Sequence, residues 1–353
     1  MRIQRKLVCI AAIVFGCLLM PGWASAQNEE DLAQFLKAKR EDASNLVEAY
    51  MSPIVKGISY GMSQGWYHTA KAHKTLGFDL GVSVNVVNFP KSDNYFDPKT
   101  FLTSSTVFTS SASNGLAPTV IGPKDQTSYT SSYDPGDGNG PRVISISGPE
   151  GLDLKEEIGV AAIPVPMAQL GIGIYKNTDL KIRLVPQREV GSSKIKMLGF
   201  GVLHDIKQHI PGIKLMPFDL SVLVAYNSVK GSTNLEGELA KPSGYSGPQE
   251  MNYTLKSWVL QALISKKFSV VTVYGGLGYS SVKTDLDVIG EYVIASAPVD
   301  FTVKNPVSIN FEAAKTARLT GGVRLKFGPI YLNGEYTLQK YSTYTVGFGV
   351  AVR

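Results

Sequence analysis

Four histidines are the first residues to weigh for chemistry. His68 and His73 lie five apart in an irregular segment, and His204 and His209 lie five apart across a turn. Two imidazoles that grip one ion from a helix need a spacing of four, and neither pair has it. All four are therefore expected to be solvated or hydrogen-bonded, and no resident metal is expected. Asp134, Asp137 and Asn139 offer oxygen ligands in a glycine-rich loop, which suits calcium. Their spacing is not that of an EF-hand loop and no bidentate Glu follows, so a plain turn is the expectation and calcium the weak alternative. Serines are abundant, yet no alternating stretch sets a His beside a Ser and an acid on one face, so no catalytic residues, no cofactor and no enzyme activity are expected. What remains is a charged set: Lys181, Arg183, Arg318, Arg324 and Lys326, with Asp79, Asp219 and Glu335. Each falls on the polar side of an alternating segment. Such a set either pairs across strands or with a plug, or gives a lumen an anion-attracting wall.

The elements that must position this set are strands. From Thr316 one parity reads Thr, Arg318, Thr, Gly, Arg324, Lys326 and the other Ala, Leu, Gly, Val323, Leu, Phe327, a strict period of two. Gly328-Pro329 reads as a two-residue turn, which pairs Phe327 with Ile330, Lys326 with Tyr331 and Arg324 with Asn333, and leaves Arg324 and Glu335 as diagonal neighbours. The pattern continues to the C-terminus. Similar alternation occupies 78–86, 168–174, 180–184, 198–202, 218–226, 257–264 and 268–285, with weaker runs near 287–296 and 301–311. Glycines at two-residue spacing, such as Gly171 with Gly173, Gly199 with Gly201, Gly276 with Gly278 and Gly347 with Gly349, share one face. In a sandwich core they would leave holes, whereas on an inner barrel wall they leave room for a plug or for larger opposing side chains.

The expected fold is therefore all-β: a transmembrane antiparallel barrel of about 14 strands, within a range of 12 to 16. Between 90 and 164 the period blurs, and folding 100–147 into one external excursion lowers the count to 12. Residues 231–249 read as a long external loop, with turns at 176–178, 266–267 and 328–329 on the periplasmic side. One amphipathic helix is expected over 28–51, carried by Leu32, Phe35, Leu36, Leu46, Val47 and Tyr50 and stopped by Pro53; it would serve as plug or periplasmic cap. The glycines of 57–67 are expected to break any helix.

Arg2, Arg5 and Lys6 precede an apolar run and Ala24-Ser25-Ala26, which reads as a cleaved secretory signal over 1–26. A lipoprotein signal centred on Cys17 is the less fitting alternative. Both cysteines lie in this leader, so no disulfide is expected afterwards. The expected organisation is leader 1–26, helix and plug-like segment 27–74, and barrel 75–353. Three units of the formal +6 belong to the leader, so there is no case for nucleic-acid binding.

Gly65–Asp79, Leu198–Gly212, Ser265–Gly276 and Tyr336–Tyr341 resemble a family of uncharacterised secreted barrel-like proteins of Gram-negative bacteria. The resemblance implies an outer-membrane barrel and supplies no ligand or active residue. A helical segment ahead of about 14 strands is also similar, more loosely, to long-chain fatty-acid transporters. The functional expectation is a monomeric barrel in outer-membrane lipid, acting as a passive channel or transporter for a small or amphiphilic solute. A non-transporting barrel that presents external loops to a partner is the alternative, and a secreted soluble β-sandwich binding module the more distant one.

Overall fold

The computed structural model describes residues 40–102, 106–110, 112–133, 142–190, 193–236, 242–294, 301–311 and 315–352. The expected leader 1–26, Leu32, Phe35 and Leu36 of the expected helix, and Asp134, Asp137 and Asn139 lie outside the described residues.

In chain order the elements are helix α1 (Arg40–Met62), β1 (Phe78–Asn88), β2 (Tyr95–Phe96), β3 (Thr106–Ser110), β4 (Ala117–Pro118), β5 (Thr127–Tyr133), β6 (Arg142–Ser147), helix α2 (Leu154–Ile158), β7 (Ala162–Gly173), β8 (Thr178–Val190) and β9 (Ser193–Asp205). There follow β10 (Asp219–Asn234), β11 (Glu250–Phe268), β12 (Val271–Ile289), β13 (Glu291–Ile294), β14 (Phe301–Lys304), β15 (Val307–Phe311), β16 (Thr316–Phe327), β17 (Ile330–Leu338) and β18 (Thr343–Val352).

Ten of these strands close into an antiparallel ring, in the order β1, β7, β8, β9, β10, β11, β12, β16, β17, β18 and back to β1. β15 adds to the far end of β12, outside the ring. The expected 14 strands is therefore wrong. β10, β11 and β12 run to 16, 19 and 19 residues, beyond the nine to eleven that span a bilayer. The weaker runs after them form the β13–β14 hairpin and β15, and the described residues of the stretch where the period blurs, 90–164, form the small sheets β2–β4 and β3–β5–β6, helix α2 and the first residues of β7. The hairpin at Gly328-Pro329 has the expected register, Phe327 with Ile330, Lys326 with Tyr331 and Arg324 with Asn333.

The faces sort as a membrane barrel requires. Leu80, Val82, Leu260, Leu277, Leu319, Val323, Leu332, Val346 and Phe348 point outward and are exposed, while Asp79, Arg183, Ser257, Arg318 and Thr345 are buried inside. A soluble protein would do the reverse. Among the described residues no helix is long and apolar enough to cross a membrane, which says nothing of crossing by strands.

The two ends of the ring differ. At one lie the entry to β1, the end of β18, the turns at 174–177, 269–270 and 328–329, and the connection 206–218. The turn expected at Lys266-Lys267 is thus three residues later, at 269–270, where Ser269 adopts the left-handed conformation a tight hairpin needs. At the other end lie the described residues of 89–161, 235–249 and 290–315, which build a cap.

Helix α1 packs on β1, β7 and β15 at this cap end, so it is not a cap over the end where the chain finishes. It also runs through Pro53 to Met62. Pro costs a helix interior about 3 kcal/mol, but Tyr50, Tyr60 and Met62 on both sides of it are buried in the cap core with Val87, Phe89, Val120 and Val165. Gly57 and Gly61 do not break the helix; they let it approach. A Cβ on Gly57 would meet the Phe89 ring at 2.6 Å, and one on Gly61 would meet Val165 at 2.5 Å. Leu46, Val47 and Tyr50 therefore cover the mouth and do not plug the pore. Asn45 Nδ2 donates to the Phe101 carbonyl (2.9 Å), Tyr50 Oη to Glu150 (2.8 Å) and Tyr95 Oη to Asp125 (2.6 Å), fastening the cap. Burial and the Asp125 carboxylate push the Tyr95 phenol up to about 12.

Candidate functional site: the strapped lumen

After Met62 the chain leaves its helix and descends through the ring as an irregular strap, residues 63–76, to reach the start of β1 at the opposite end. A strap without strand or helix ladders must find partners for its backbone groups elsewhere, and the wall's polar parity supplies them.

Arg183 on β8 donates to the carbonyls of Met62 (2.9 Å) and Gln64 (2.7 Å) and to Gln169 Oε1 (3.0 Å). Its guanidinium lies 3.7 Å from the centre of the Trp66 ring. Arg318 on β16 donates to the Ser63 carbonyl (2.9 Å) and to Gln64 Oε1. Glu335 accepts from the Gly65 amide (3.4 Å) and the Tyr274 hydroxyl (3.2 Å). Asn85 and Asn227 donate to the carbonyls of Gly61 and Met62, and Gln169 to that of Trp66. Further down, Ser265 Oγ accepts the Ala70 amide (3.0 Å) and Ser221 Oγ donates to the Ala70 carbonyl.

The paired glycines make the volume for this. Cβ atoms on Gly199 and Gly201 would stand 3.3 and 3.0 Å from the Trp66 ring, one on Gly276 would strike the Tyr67 hydroxyl at 2.4 Å, and one on Gly173 would strike the Lys74 carbonyl at 2.2 Å. Trp66, Ala70 and His73 are at most 1% exposed, so at this level the lumen is filled.

Lower in the barrel the strap's histidines meet acids. Asp179 accepts the His73 amide and pairs with its Nδ1, both at 2.8 Å. His73 Nε2 faces Asp79 Oδ2 at 3.6 Å, and His68 Nε2 faces Asp79 Oδ1 at 3.8 Å. His73, Asp79 and Asp179 thus converge within the span of one metal ion, a grouping that sequence spacing hid because it joins the strap to two different strands. The ammonium of Lys181, 2% exposed, already lies 3.7 Å from Asp79 Oδ2 and supplies positive charge there. The other two imidazoles, His204 and His209, approach at 3.0 Å between ring nitrogens, brought together by the turn after β9. His209 is exposed and His204 half-buried, both outside the lumen.

Of the expected lumen residues, Asp79, Lys181, Arg183, Arg318, Arg324 and Glu335 are buried inside. Asp219 and Lys326 lie at the short-turn rim, where Asp219 meets Ser265 (3.5 Å) and Lys326 donates to the Ala351 carbonyl (2.7 Å). Arg324 lies over the Tyr331 ring at 4.6 Å. Sequence reading placed Trp66 and Tyr67 in a plug-like segment but missed Gln64 and Gln169, which accept from Arg318 and Arg183.

Among solved structures, the translocator domain of the autotransporter NalP from Neisseria meningitidis is 12% identical over 80% of this chain and 90% of its own, with a TM-score of 0.28. The β domain of the Bordetella autotransporter BrkA is 10% identical over 78% of this chain and 99% of its own, at 0.26. The CymD monoaromatic hydrocarbon channel is 11% identical over 79% and 88%, at 0.20. At such scores the barrel assignment rests on the strand pairing itself. No curated protein sequence matches. Residues 3–352 match the family of unknown function DUF6588, to which this chain belongs.

Proposed function

We propose that the protein is an outer-membrane barrel that its own strap keeps shut and that presents the cap at the cell surface. The observation that carries this is the use of the lumen's cations: Arg183 and Arg318 hold strap backbone and leave no anion-attracting wall at that level. The apolar outer face supports membrane insertion. The longest connections, 89–161, 235–249 and 290–315, all lie at the cap end, whereas the opposite end has three short turns and one longer connection, 206–218; this supports a cap that faces outward, since external loops are the longer ones in such barrels. The reading departs from the expected passive channel or transporter, which is kept as a second reading. It retains no enzyme activity, no nucleic-acid partner and a monomer in outer-membrane lipid as parts of the proposal.

A second reading, transport of a small or amphiphilic solute after the strap shifts, is favoured by one feature. The strap is irregular and is held largely by side chains of the wall, so it can leave without breaking the strand ring. Planar-bilayer recording on the purified barrel, with protease added to intact cells, tests both. The surface reading expects no steady conductance and cleavage within 89–161. Steady conductance from the native chain refutes a shut barrel, and protection of 89–161 in intact cells refutes an outward cap.

A further inference from the structure

Four adjacent strands carry a basic row on the outside of the barrel. Lys196 stands directly across from Lys230, and Lys256 directly across from Lys283. Thr254 faces Lys230 and Ser228 faces Lys256, which makes Lys230 and Lys256 diagonal neighbours. All four side chains are exposed and lie on the outward parity of β9 to β12. Directly opposed residues on neighbouring strands are roughly 4.5–5.5 Å apart at Cα, where like charges oppose pairing. The outward faces of β1, β7, β16, β17 and β18 carry no Lys or Arg at all. The row is therefore local, and it works against the sheet that holds it.

Internal acids do little to neutralise it. Lys283 has Asp285 at 4.0 Å, and Lys194, one step beyond the row, pairs with Glu189 at 3.0 Å. Lys196, Lys230 and Lys256 have no ion pair among the described residues. A groove of about 250 Å³ opens beside them, lined by Lys194, Lys196, Lys230, Ser232, Asn252 and Thr254.

The position chooses the ligand. Toward the barrel's middle, one same-face step from Lys256 and two from Lys196 and Lys230, Phe200, Tyr226 and Trp258 stand in register, with the Tyr226 and Trp258 rings 4.7 Å apart. The next step is Val202, Val224 and Leu260, all exposed. Aromatic girdles mark the membrane interface, with the apolar band between them. The lysines thus sit just beyond the girdle on the cap side, at the depth of lipid headgroups and in reach of their phosphates.

We infer that Lys196, Lys230, Lys256 and Lys283 form a binding site for the phosphorylated headgroup of an outer-leaflet glycolipid, whose acyl chains lie along Leu260 and Val224. This rests on the outer-membrane reading with the cap outward. The phosphates neutralise the opposed lysines, and Ser232, Asn252 and Thr254 offer hydrogen bonds to sugar hydroxyls.

The test uses the full chain in phosphatidylcholine nanodiscs doped with bis-phosphorylated lipid A, with bound lipid counted by native mass spectrometry. The expected result is retention by the native protein, loss of at least about tenfold in K196Q/K230Q/K256Q/K283Q, and no loss in K266Q/K267Q at the opposite rim. Dephosphorylated lipid A is expected not to bind, and inorganic phosphate not to displace the lipid. Equal retention by the fourfold variant, equal loss in the rim control, or full displacement by inorganic phosphate overturns the site while the barrel still requires detergent. Recovery of the native chain without detergent overturns the membrane reading and the site together.

Discussion

Arg183→Met separates a lumen held shut by specific bonds from one that is merely full. Methionine keeps length and packing against Trp66 but cannot donate. The Met62 carbonyl retains Asn227 as a donor, whereas the Gln64 carbonyl and Gln169 Oε1 each lose the Arg183 bond shown here. Each orphaned buried acceptor costs about 1–3 kcal/mol, and loss of the guanidinium from the Trp66 face costs about 0.5–2 kcal/mol. Seating the strap no longer desolvates a cation, which offsets part of this. A net weakening of about 2–3 kcal/mol raises the ratio of displaced to seated strap by about 30- to 150-fold. Both cysteines of the sequence precede residue 18, so a single thiol at Ala70, which is fully buried, reports the displaced state. In an Ala70→Cys background, the rate of modification by a polar maleimide is expected to rise by that factor in Arg183→Met. A second thiol at exposed Ser269 should react equally in both. An unchanged Ala70→Cys rate in a barrel that remains heat-modifiable refutes the idea that Arg183 holds the strap.

Three further outcomes follow from the same geometry. Gly201→Val places carbon atoms against the Trp66 ring, already 3.0 Å from a bare Cβ, and is expected to lower the unfolding midpoint or expel the strap at a cost of about 1–3 kcal/mol, read by urea titration of the indole fluorescence. Gly61→Leu should unseat α1 from β1 and β7, seen as faster proteolysis of the cap with the barrel intact, because its Cβ alone would meet Val165 at 2.5 Å. Val323→Arg, on the lipid-facing parity, should impair assembly by about 2–4 kcal/mol in a vesicle-folding assay. Normal assembly of Val323→Arg would mean that the faces have been assigned the wrong way round.

What could be read from sequence followed the locality of the physics. Alternation is a local property, so the inward and outward sets and the β16–β17 register were legible from Arg324, Lys326 and a two-residue turn. The paired glycines also announced free volume on the inner wall, for a plug or for larger side chains opposite. Strand number was not legible, because period two does not reveal whether a run closes the ring, as β12 does, or decorates its rim, as β15 does. Nor was the path of α1, where propensity argued for a stop at Pro53 and at the glycines. There, burial of Tyr50 and Tyr60 and the close approach to Phe89 and Val165 prevailed, and those are contacts between distant parts of the chain. The lumen cluster failed to show for the same reason. His73 gains its meaning from Asp179, more than a hundred residues away, and Asp79 from Lys181 on another strand. Charges on the inner wall could be assigned to a face, but their role depended on what filled the space opposite. Once the strap occupies it, Arg183 and Arg318 hold the chain's own carbonyls, and the same basic parity that suggested an anion path becomes the means of closing it.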